Sequence, residues 1–429
     1  MTDTSPSGGH PPAPGRRRAR RERPPLATPL RTIVVVGASL AGLSAVEALR
    51  TLGYDGRIVA VGAEDALPYD RPPLSKQVLA GTADPELTAL RSPAAIERLE
   101  VDWRLGRPAA GVDLETRVLR LRDGEPIPFD GLVIATGATP RRLPGQPALR
   151  GIHVLRTLDD CLALRAALAT GGRVAVVGAG FIGAEVAATA CKRGLDVDVV
   201  EALPMPLATS LGPEAGAWCA HLHLDHGVRL HCGVTVTGFE GGDAVEAIRL
   251  SDGRVLPADV VVVGAGVVPA TGWLDASGLA LDNGVVCDEY CRTGVPDVVA
   301  AGDVARWYNP LFDERMRVEH WTNAVEQGEA AARNLVLPED DRLPYSPVPY
   351  FWSDQYDVKI QFCGRARPDD ELRVVHGSPA DRDFVATFVR HGRLVGAMAF
   401  NAGREFAPSQ RLIAGRLGLD GALAGTPVS

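Results

Sequence analysis

Residues 173–185 read RVAVVGAGFIGAE, where a β-branched run stops at a cluster of glycines and gives way to small, helix-favouring residues. This pattern predicts a strand over Arg173–Val177, then a tight turn, then a helix. Gly178, Gly180 and Gly183 have the G-x-G-x-x-G spacing, in which glycine allows the turn, the close approach of a pyrophosphate and tight packing of the helix on the strand. The helix N-terminus then offers free amides to the phosphates. The stretch predicts a dinucleotide site of the Rossmann type.

The next strand of this unit ends in an acidic residue. Asp196–Val200 is a further apolar run, and Glu201 follows it, 23 residues after Gly178. An acid at this place accepts hydrogen bonds from the ribose hydroxyls of a dinucleotide. Residues 202–207 read ALPMPL and hold no arginine that could receive a 2′-phosphate, so the pattern favours NAD over NADP.

The same motif occurs earlier in the chain. Residues 32–42 read TIVVVGASLAG, and Ser39 takes the place of the middle glycine. A serine is still small enough to let the backbone approach a pyrophosphate. A second predicted strand, Arg57–Val61, leads to Glu64, which lies 27 residues after Gly37 and has the position of a ribose-binding acid.

A wider internal repeat links the two copies. Residues 130–140 (DGLVIATGATP) and 259–269 (DVVVVGAGVVP) align without gaps. In both, an aspartate precedes the glycine (Gly137 or Gly266) by seven residues and a proline follows it by three. Each half of the protein is therefore predicted to be a βαβ nucleotide-binding unit closed by a strand that ends in a small-residue turn. We expect an α/β protein with two bound dinucleotides.

Charge and composition narrow the class of protein. The 429 residues are 46% hydrophobic and 23% charged, as in ordinary globular proteins. Residues 1–30 carry six arginines against two acids, so they hold +4 of a total of −8 and leave −12 on the rest of the chain. A body this acidic is not typical of a nucleic-acid-binding protein. The Arg- and Pro-rich segment 1–30 is predicted to be a disordered tail.

The basic residues are almost all arginine. Only three of the 45 are lysines, namely Lys76, Lys192 and Lys359. Codon bias accounts for such a skew, but it also makes each remaining lysine a candidate for a specific role.

The cysteines and histidines give no metal or disulfide pattern. Seven cysteines form an odd set without C-x-x-C spacing, which fits reduced thiols and a cytoplasmic protein. The charge-free stretches fall short of the roughly 18 residues that a membrane span needs, so we expect no membrane association. Within twelve residues lie His221, His223, His226, His231 and Cys232. They are predicted to span a helix, a turn and a strand, so their side chains should diverge and hold no metal.

Five further motifs are PYDRPPLSK (68–76), ATG (135–137), AGD (301–303), EHWTNA (319–324) and YFWSDQY (350–356). Together they resemble the single-chain NADH-dependent ferredoxin reductases, a family that includes putidaredoxin reductase, rubredoxin reductase and the reductase components of aromatic-ring dioxygenases, and that is similar in fold to apoptosis-inducing factor. The resemblance covers roughly residues 31–420.

The resemblance assigns roles residue by residue. Lys76 matches a lysine that lies beside the flavin ring and pairs with the glutamate after the second glycine motif, here Glu185, so this pair is the expected catalytic device. Asp303 matches the aspartate that binds the ribityl chain. The expected NADH site comprises Gly178, Gly180, Phe181, Ile182, Gly183 and Glu201. The expected FAD site comprises Gly37, Ser39, Ala41, Gly42, Glu64, Arg71, Lys76, Ala109, Ala135, Thr136, Gly137, Arg156, Gly302, Asp303 and Trp321. Gly266, the counterpart of Gly137 in the second repeat, is also expected to bind a cofactor.

The implied architecture is two Rossmann-like, three-layer ββα domains of the glutathione reductase type, followed by a small α+β domain. Residues 31–150 and 268–344 are expected to form a discontinuous FAD-binding domain, with the NAD-binding domain, 151–267, inserted between them. Residues 345–429 form the expected C-terminal reductase domain. Within it, Asp383–Arg390 and Arg393–Phe400 flank a His-Gly pair and predict a β-hairpin.

The implied reaction passes a hydride from NADH to FAD and then single electrons to a ferredoxin that serves a cytochrome P450 or a Rieske oxygenase. Rubredoxin reductase and NADH oxidase activities remain open, as does a non-enzymatic NADH-sensing role like that of apoptosis-inducing factor. A disulfide reductase would need a cysteine pair beside the flavin, and no cysteine precedes Cys161. A monomer or a weak homodimer is expected.

Overall fold

The computed structural model describes residues 30–416. The predicted tail, residues 1–30, lies outside the described residues except for Leu30, and so do residues 417–429.

The strands are numbered in chain order. They are β1 (Thr32–Val36), β2 (Arg57–Val61), β3 (Val101–Arg104), β4 (Ala109–Asp113), β5 (Val118–Leu121), β6 (Pro126–Pro128), β7 (Gly131–Ile134), β8 (Ala138–Pro140), β9 (Ile152–His153), β10 (Arg173–Val177), β11 (Asp196–Glu201), β12 (Arg229–Cys232), β13 (Val236–Glu240), β14 (Ala247–Leu250), β15 (Val255–Pro257), β16 (Val260–Val263), β17 (Val267–Pro269), β18 (Val285–Cys287), β19 (Val298–Ala300), β20 (Ala305–Asn309), β21 (Glu314–Met316), β22 (Tyr350–Gln355), β23 (Val358–Gly364), β24 (Glu371–Ser378), β25 (Asp383–Arg390) and β26 (Arg393–Phe400).

The helices, numbered in the same way, are α1 (Leu40–Leu52), α2 (Gln77–Ala80), α3 (Pro93–Glu97), α4 (Leu158–Ala169), α5 (Phe181–Lys192), α6 (Ala208–Asp225), α7 (Trp321–Val336), α8 (Gly403–Phe406) and α9 (Ser409–Ala414). Among the helices between residues 30 and 416, none combines the length and the apolar composition that crossing a membrane requires.

The first glycine motif lies at the centre of a parallel five-stranded sheet in the order β19-β7-β1-β2-β3. β1 is flanked by β2 and β7. The glycine turn that follows β1 therefore lies at the carboxyl edge of the sheet, where α/β proteins bind their ligands. β19 comes from far along the chain and pairs with β7. A small antiparallel sheet, β4-β5-β6, shares the core of this unit with α1 and α7.

The second unit repeats this plan in the sheet β12-β11-β10-β16-β9, with β13-β14-β15 as its antiparallel partner. The side chains of β10 alternate between two cores: Val174 and Val176 face the helices, whereas Ala175 and Val177 face the small sheet. This alternation, which follows from the period of two along a strand, produces the three ββα layers. The two repeats also meet directly, because β8 and β17 pair as an antiparallel ribbon.

The C-terminal unit is an antiparallel sheet in the order β22-β23-β26-β25-β24. The predicted hairpin is confirmed with the predicted bounds, as β25 and β26. One face of this sheet packs α9, through Ile413 and Ala399, whereas the other face packs against the second unit, through Phe362 and Met398. The predicted α/β class with a C-terminal domain is confirmed, while the exact domain boundaries stay a prediction.

Candidate functional site

The first glycine turn connects β1 to α1. Gly37 has a φ of +123°, and a Cβ there would lie 2.0 Å from the carbonyl oxygen of Ala135. Gly42 allows α1 to pack on the turn, since a Cβ at that position would lie 1.9 Å from the Gly37 carbonyl oxygen. Ala41 is buried, and Ser39 precedes the helix in an extended conformation.

The second glycine turn has the same geometry, which confirms that the two motifs are structural copies. Gly178 takes the place of Gly37 with a φ of +102°, and Gly183 takes the place of Gly42. A Cβ at Gly183 would lie 2.1 Å from the Gly178 carbonyl oxygen. Gly180 is different, because a Cβ there would have open space within 4 Å. The chain therefore leaves room at the middle position, where the motif places a pyrophosphate.

Both helix N-termini are left without a side-chain cap. Ser39 and Gly180 are the N-cap residues of α1 and α5, neither makes a capping hydrogen bond, and neither helix has an acid in its first turn. By contrast, α4 has a full capping box formed by Thr157 and Asp160. The amides of the first turn of α1 and α5 thus remain available to an anionic ligand, as a phosphate site requires.

Glu201 closes the second turn. Its carboxylate is buried and accepts hydrogen bonds from the backbone amides of Ala179, at 2.7 Å, and Leu203, at 2.9 Å. These contacts fix the acid beside the glycine turn, as a ribose-binding role requires. Phe181 and Ile182 begin α5, and the Ile182 side chain is exposed.

Glu64 and Arg71 lie together beyond the end of β2. The Arg71 guanidinium donates to Glu64 Oε1 at 2.6 Å and to the Arg156 carbonyl oxygen at 2.6 Å. The Tyr69 hydroxyl also donates to Glu64, and burial raises the pKa of that phenol to about 12. Tyr69 and Arg71 therefore hold the Glu64 carboxylate in one orientation.

Asp303 lies in the short turn that follows β19. Its Oδ2 accepts from Arg156 at 2.9 Å, and its backbone carbonyl accepts from Arg317 at 3.2 Å. Gly302, with a φ of +76°, forms the turn, and its amide donates to the side chain of Gln327 on α7. The structure thus brings Asp303 and Arg156, two predicted ligands, into contact across 147 positions of sequence.

Lys76 and Glu185 form the most buried ion pair of the site. The Lys76 Nζ atom lies 2.7 Å from Glu185 Oε2, and the two side chains are 11% and 3% exposed. Glu185 also accepts from the Ser75 hydroxyl at 2.5 Å and from the Ser353 hydroxyl at 2.7 Å. The pair therefore joins the segment before α2 to α5 and to β22 of the C-terminal sheet.

An aromatic cluster lies where the three units meet. The rings of Phe181 and Phe351 are 4.2 Å apart, and Phe351 is 4.8 Å from the ring of His320. Burial lowers the pKa of His320 to about 4, so its imidazole is neutral near pH 7. Trp321 begins α7, is 36% exposed, and donates from its indole to Asp70 at 2.8 Å. Burial raises the pKa of the Asp70 carboxyl, against the opposing effects of Trp321 and Lys76.

The remaining predicted residues follow the ends of the repeated strands. Ala135, Thr136 and Gly137 follow β7, and the Thr136 hydroxyl donates to the Ala270 carbonyl oxygen at 2.9 Å. The matching glycine, Gly266, has a φ of +83°. Ala109, by contrast, does not follow one of these repeated strands. It begins β4 and packs against the hydrophobic core of the first unit.

The side chains of the histidine-rich segment divide between two separate places, Tyr356 and Asp198. His223 is buried and shares a hydrogen bond of 2.7 Å with the Tyr356 hydroxyl, and the His226 ring stacks on Tyr356 at 3.9 Å. His231 on β12 bonds to Asp198 instead. Within residues 30–416, no three His, Cys, Asp or Glu side chains are grouped as a metal site would need.

Several residues that hold the site together had no predicted role. Ser75 and Ser353 lie within the family motifs but were not expected to contact Glu185, and Tyr69 and Arg317 were not linked to the acids they contact. Ser353 shares one face of β22 with Phe351 and Gln355, and this mixed pattern gave no sequence signal that its hydroxyl is buried against a carboxylate.

The arrangement fits two dinucleotides held on neighbouring units. Each unit offers an open, uncapped helix N-terminus after a glycine turn, and a carboxylate fixed beyond the adjacent strand. Asp303 adds a carboxylate for hydroxyl groups in the first unit, and Lys76 supplies a buried positive charge near the junction of the units. These donors and acceptors fit one dinucleotide on each unit.

Two family models match the chain. Residues 31–328 match the pyridine nucleotide-disulphide oxidoreductase family, and residues 350–427 match the reductase C-terminal family.

Individual proteins match over nearly the whole chain. Putidaredoxin reductase of Pseudomonas putida is 35% identical over 402 residues, which cover 92% of this chain and 94% of the relative. The biphenyl dioxygenase system ferredoxin–NAD(+) reductase component of Paraburkholderia xenovorans strain LB400 is 39% identical over 388 residues, which cover 90% and 94%. The crystal structure of the covalent putidaredoxin reductase-putidaredoxin complex gives a TM-score of 0.86 at 34% identity, covering 92% of this chain and 96% of that chain.

Proposed function

The chain belongs to the pyridine nucleotide-disulphide oxidoreductase family, and from this premise we propose that it carries electrons from NADH through FAD to a ferredoxin-type iron–sulfur protein. The resemblance seen in the sequence is confirmed. Family membership makes the protein an FAD-dependent oxidoreductase with NADH as its donor.

One observation carries the proposal. Lys76, one of only three lysines in the chain, is held by Glu185 at 2.7 Å in a nearly buried pair where the two nucleotide-binding units meet. A fixed positive charge beside a flavin stabilises the negative charge that the ring gains on reduction. A lysine with only a surface role would extend into solvent.

The reaction needs FAD as a converter between two-electron and one-electron transfer. When bound, FAD would supply this chemistry, since a flavin can take up two electrons as a hydride and give them up singly. The balanced reaction is NADH plus two oxidised ferredoxins giving NAD⁺, a proton and two reduced ferredoxins. The protein binds and orients the two nucleotides through its glycine turns, Glu64, Asp303 and Glu201, and holds a charge at Lys76.

Thiol chemistry is not part of the proposed mechanism. All seven cysteines lie in the described part of the chain and are free thiols. Burial raises the pKa of Cys161 to about 11 and that of Cys219 to about 12, so neither forms a thiolate near pH 7. Cys287 and Cys291, the nearest to a pair in sequence, are also buried with raised pKa values. These free thiols support a cytoplasmic location, which we include in the proposal.

The electron acceptor is proposed by analogy with the relatives. One relative is named as part of a biphenyl dioxygenase system, and one structure holds a reductase together with putidaredoxin. We therefore expect a ferredoxin that serves a cytochrome P450 or a Rieske oxygenase.

Ferredoxins are usually acidic, so arginines near the exposed flavin edge should form the docking patch, and ferredoxin reduction should slow steeply as salt rises. Turnover that does not respond to salt would contradict this docking model.

The test is stopped-flow mixing of the FAD-loaded protein with NADH, followed by mixing with a [2Fe–2S] ferredoxin. We expect rapid bleaching of the flavin band and then fast appearance of reduced ferredoxin. Slow bleaching with a long-lived charge-transfer band and no electron delivery would support the NADH-sensing alternative instead. Fast oxygen consumption without ferredoxin would support an NADH oxidase, and selective transfer to rubredoxin would support a rubredoxin reductase.

The domain and residue assignments are part of the same proposal. We assign FAD to residues 31–150 and 268–344, NADH to residues 151–267, and a reductase C-terminal role to residues 345–429. The strand order, in which β19 joins the first sheet and β9 joins the second, supports this division. A monomer or weak homodimer is proposed, to be measured by sedimentation velocity.

A further inference from the structure

From the hydrogen bonds around Glu185, we infer that Ser353, on the first strand of the C-terminal sheet, is a positioning residue for the Lys76–Glu185 pair, with Gln355 as its support. The C-terminal unit would then contribute directly to the flavin site by fixing its charged pair. This inference rests on the proposed function, because it assigns the pair its place beside FAD.

The geometry fixes both oxygens of the Glu185 carboxylate. Oε2 faces Lys76 Nζ at 2.7 Å and the Ser75 hydroxyl at 2.5 Å. Oε1 accepts from the Ser353 hydroxyl at 2.7 Å. Ser353 Oγ in turn accepts from the Gln355 side-chain amide at 3.2 Å. A one-way chain of donors thus runs from Gln355 through Ser353 to Glu185, and it holds the carboxylate in one rotamer.

These groups are shielded from water. Ser353 and Gln355 have no exposed surface, and Glu185 is 3% exposed. Water therefore cannot replace the Ser353 hydroxyl without opening the contact between α5 and β22. Gln355 Oε1 is itself buried without a hydrogen-bond partner among the described residues. The hydrogen bonds from Gln355 through Ser353 to Glu185 thus leave one buried acceptor unpaired.

The end of β22 is also anchored to the second unit through Tyr356, the residue after Gln355. Lys192, the last residue of α5, donates to the Tyr356 carbonyl oxygen, and His223 of α6 bonds to the Tyr356 hydroxyl at 2.7 Å. Thr189, one turn along α5 from Glu185, donates to the Ser75 carbonyl oxygen at 2.8 Å. β22 and the segment carrying Lys76 are therefore both locked to the helix that carries Glu185.

The consequence is electrostatic. Without the Ser353 hydroxyl, the Glu185 carboxylate keeps Ser75 and Lys76 as partners on one oxygen only and can turn. Lys76 would then keep only its 3.3 Å hydrogen bond to the Pro72 carbonyl oxygen as a fixed contact, and its charge would stabilise reduced flavin less well. Ser353 touches neither substrate nor cofactor in this scheme; it acts only through Glu185.

The test compares Ser353→Ala, Ser353→Thr and Glu185→Gln with the double variant Ser353→Ala/Glu185→Gln, all as FAD-loaded full-length protein. For Ser353→Ala we expect flavin reduction by saturating NADH to slow about tenfold, as for loss of one hydrogen bond to a buried charge. The flavin midpoint potential should fall by about 30 mV, which is a tenfold change for a two-electron couple. Ser353→Thr, which keeps the hydroxyl, should stay close to wild type in both measurements.

A double-mutant comparison shows whether Ser353 acts through Glu185. Adding Ser353→Ala to Glu185→Gln should change the rate and the potential by less than about twofold. The matched control is Thr387→Val, which removes a buried hydroxyl from β25 of the same sheet, where its partner is the Arg373 carbonyl oxygen at 3.4 Å. This control should leave the potential unchanged.

The outcomes separate the inference from the proposed function, because these measurements use no ferredoxin. A Ser353→Ala variant with wild-type potential and rate overturns the inference, and so does an equal additional loss in the Glu185→Gln background. A wild-type protein whose flavin is not reduced by NADH overturns the proposed function instead.

Discussion

The Lys76–Glu185 pair allows a quantitative prediction for Lys76→Met. The pair is 2.7 Å long, and its side chains are 11% and 3% exposed. Removing one partner of a buried ion pair usually costs about 3–5 kcal/mol, because it leaves the other charge unpaired and shielded from water. Ser75 and Ser353 still bond to Glu185 in this variant. We therefore expect the lower end, a loss of about 3 kcal/mol in the free energy of unfolding.

Replacing both partners tests the reason for this loss. In Lys76→Met/Glu185→Met no unpaired charge remains, and only the Ser75 and Ser353 hydroxyls lose their acceptor. The double variant should therefore lose about 1–2 kcal/mol, far less than the two single losses together. The matched control is Lys359→Met. Lys359 is 52% exposed and lies 3.8 Å from Asp354, so its loss should cost less than about 1 kcal/mol.

The assay is urea unfolding of the FAD-loaded protein, followed in parallel by tryptophan fluorescence and far-UV circular dichroism. If Lys76→Met unfolds at the wild-type midpoint, or if the double variant loses the full sum of the single losses, then the pair is not the buried, coupled interaction described above.

Four further predictions concern the nucleotide sites, the lysine and the histidine cluster. Gly183→Ala places a Cβ 2.1 Å from the Gly178 carbonyl oxygen, so NADH should bind at least about tenfold more weakly in a spectroscopic titration while FAD stays bound; unchanged NADH affinity would contradict the site. Asp303→Asn leaves Arg156 without its ion pair and should speed FAD release, measured by flavin fluorescence, whereas retention as in wild type would remove Asp303 from the FAD site. Lys76→Arg keeps the charge but not the compact ammonium group, so it should slow flavin reduction by NADH; an unchanged rate would contradict the assignment. Burial lowers the pKa of His223 from 6.5 to about 4, so on acidification the unfolded chain takes up a proton before the folded protein does. The free energy of unfolding should therefore fall by on the order of 3 kcal/mol between about pH 6.5 and pH 4. In urea titrations His223→Gln should reduce this fall, and a fall as large as in wild type would rule out His223 as its source.

Much of the fold could be predicted because its signals are local. The strands at Thr32–Val36, Arg57–Val61 and Arg173–Val177 lie at the predicted bounds, since an unbroken β-branched run that ends at glycine has few other conformations. The internal repeat by itself indicated two matching units. The pairing of β8 with β17 was not foreseen, because register between distant strands leaves no trace in either local pattern.

The residues of the candidate site likewise include some that the sequence could predict and some that it could not. Glycine turns and strand-end acids follow from spacing alone, so their positions could be predicted from the sequence. Contacts between distant segments could not: Ser353 lies 168 positions from Glu185, and Arg156 lies 147 from Asp303. The Lys76–Glu185 pair was expected only because the family resemblance supplied it, although the scarcity of lysine marked one of its partners.

Electron transfer from NADH to ferredoxin can be measured by an anaerobic titration of oxidised ferredoxin with NADH in the presence of catalytic amounts of FAD-loaded protein. Two ferredoxins should be reduced for each NADH oxidised, and at low NADH concentrations the Gly183→Ala variant should reduce ferredoxin more slowly. NADH oxidation without reduction of ferredoxin, or no NADH oxidation at all, would contradict the proposed function.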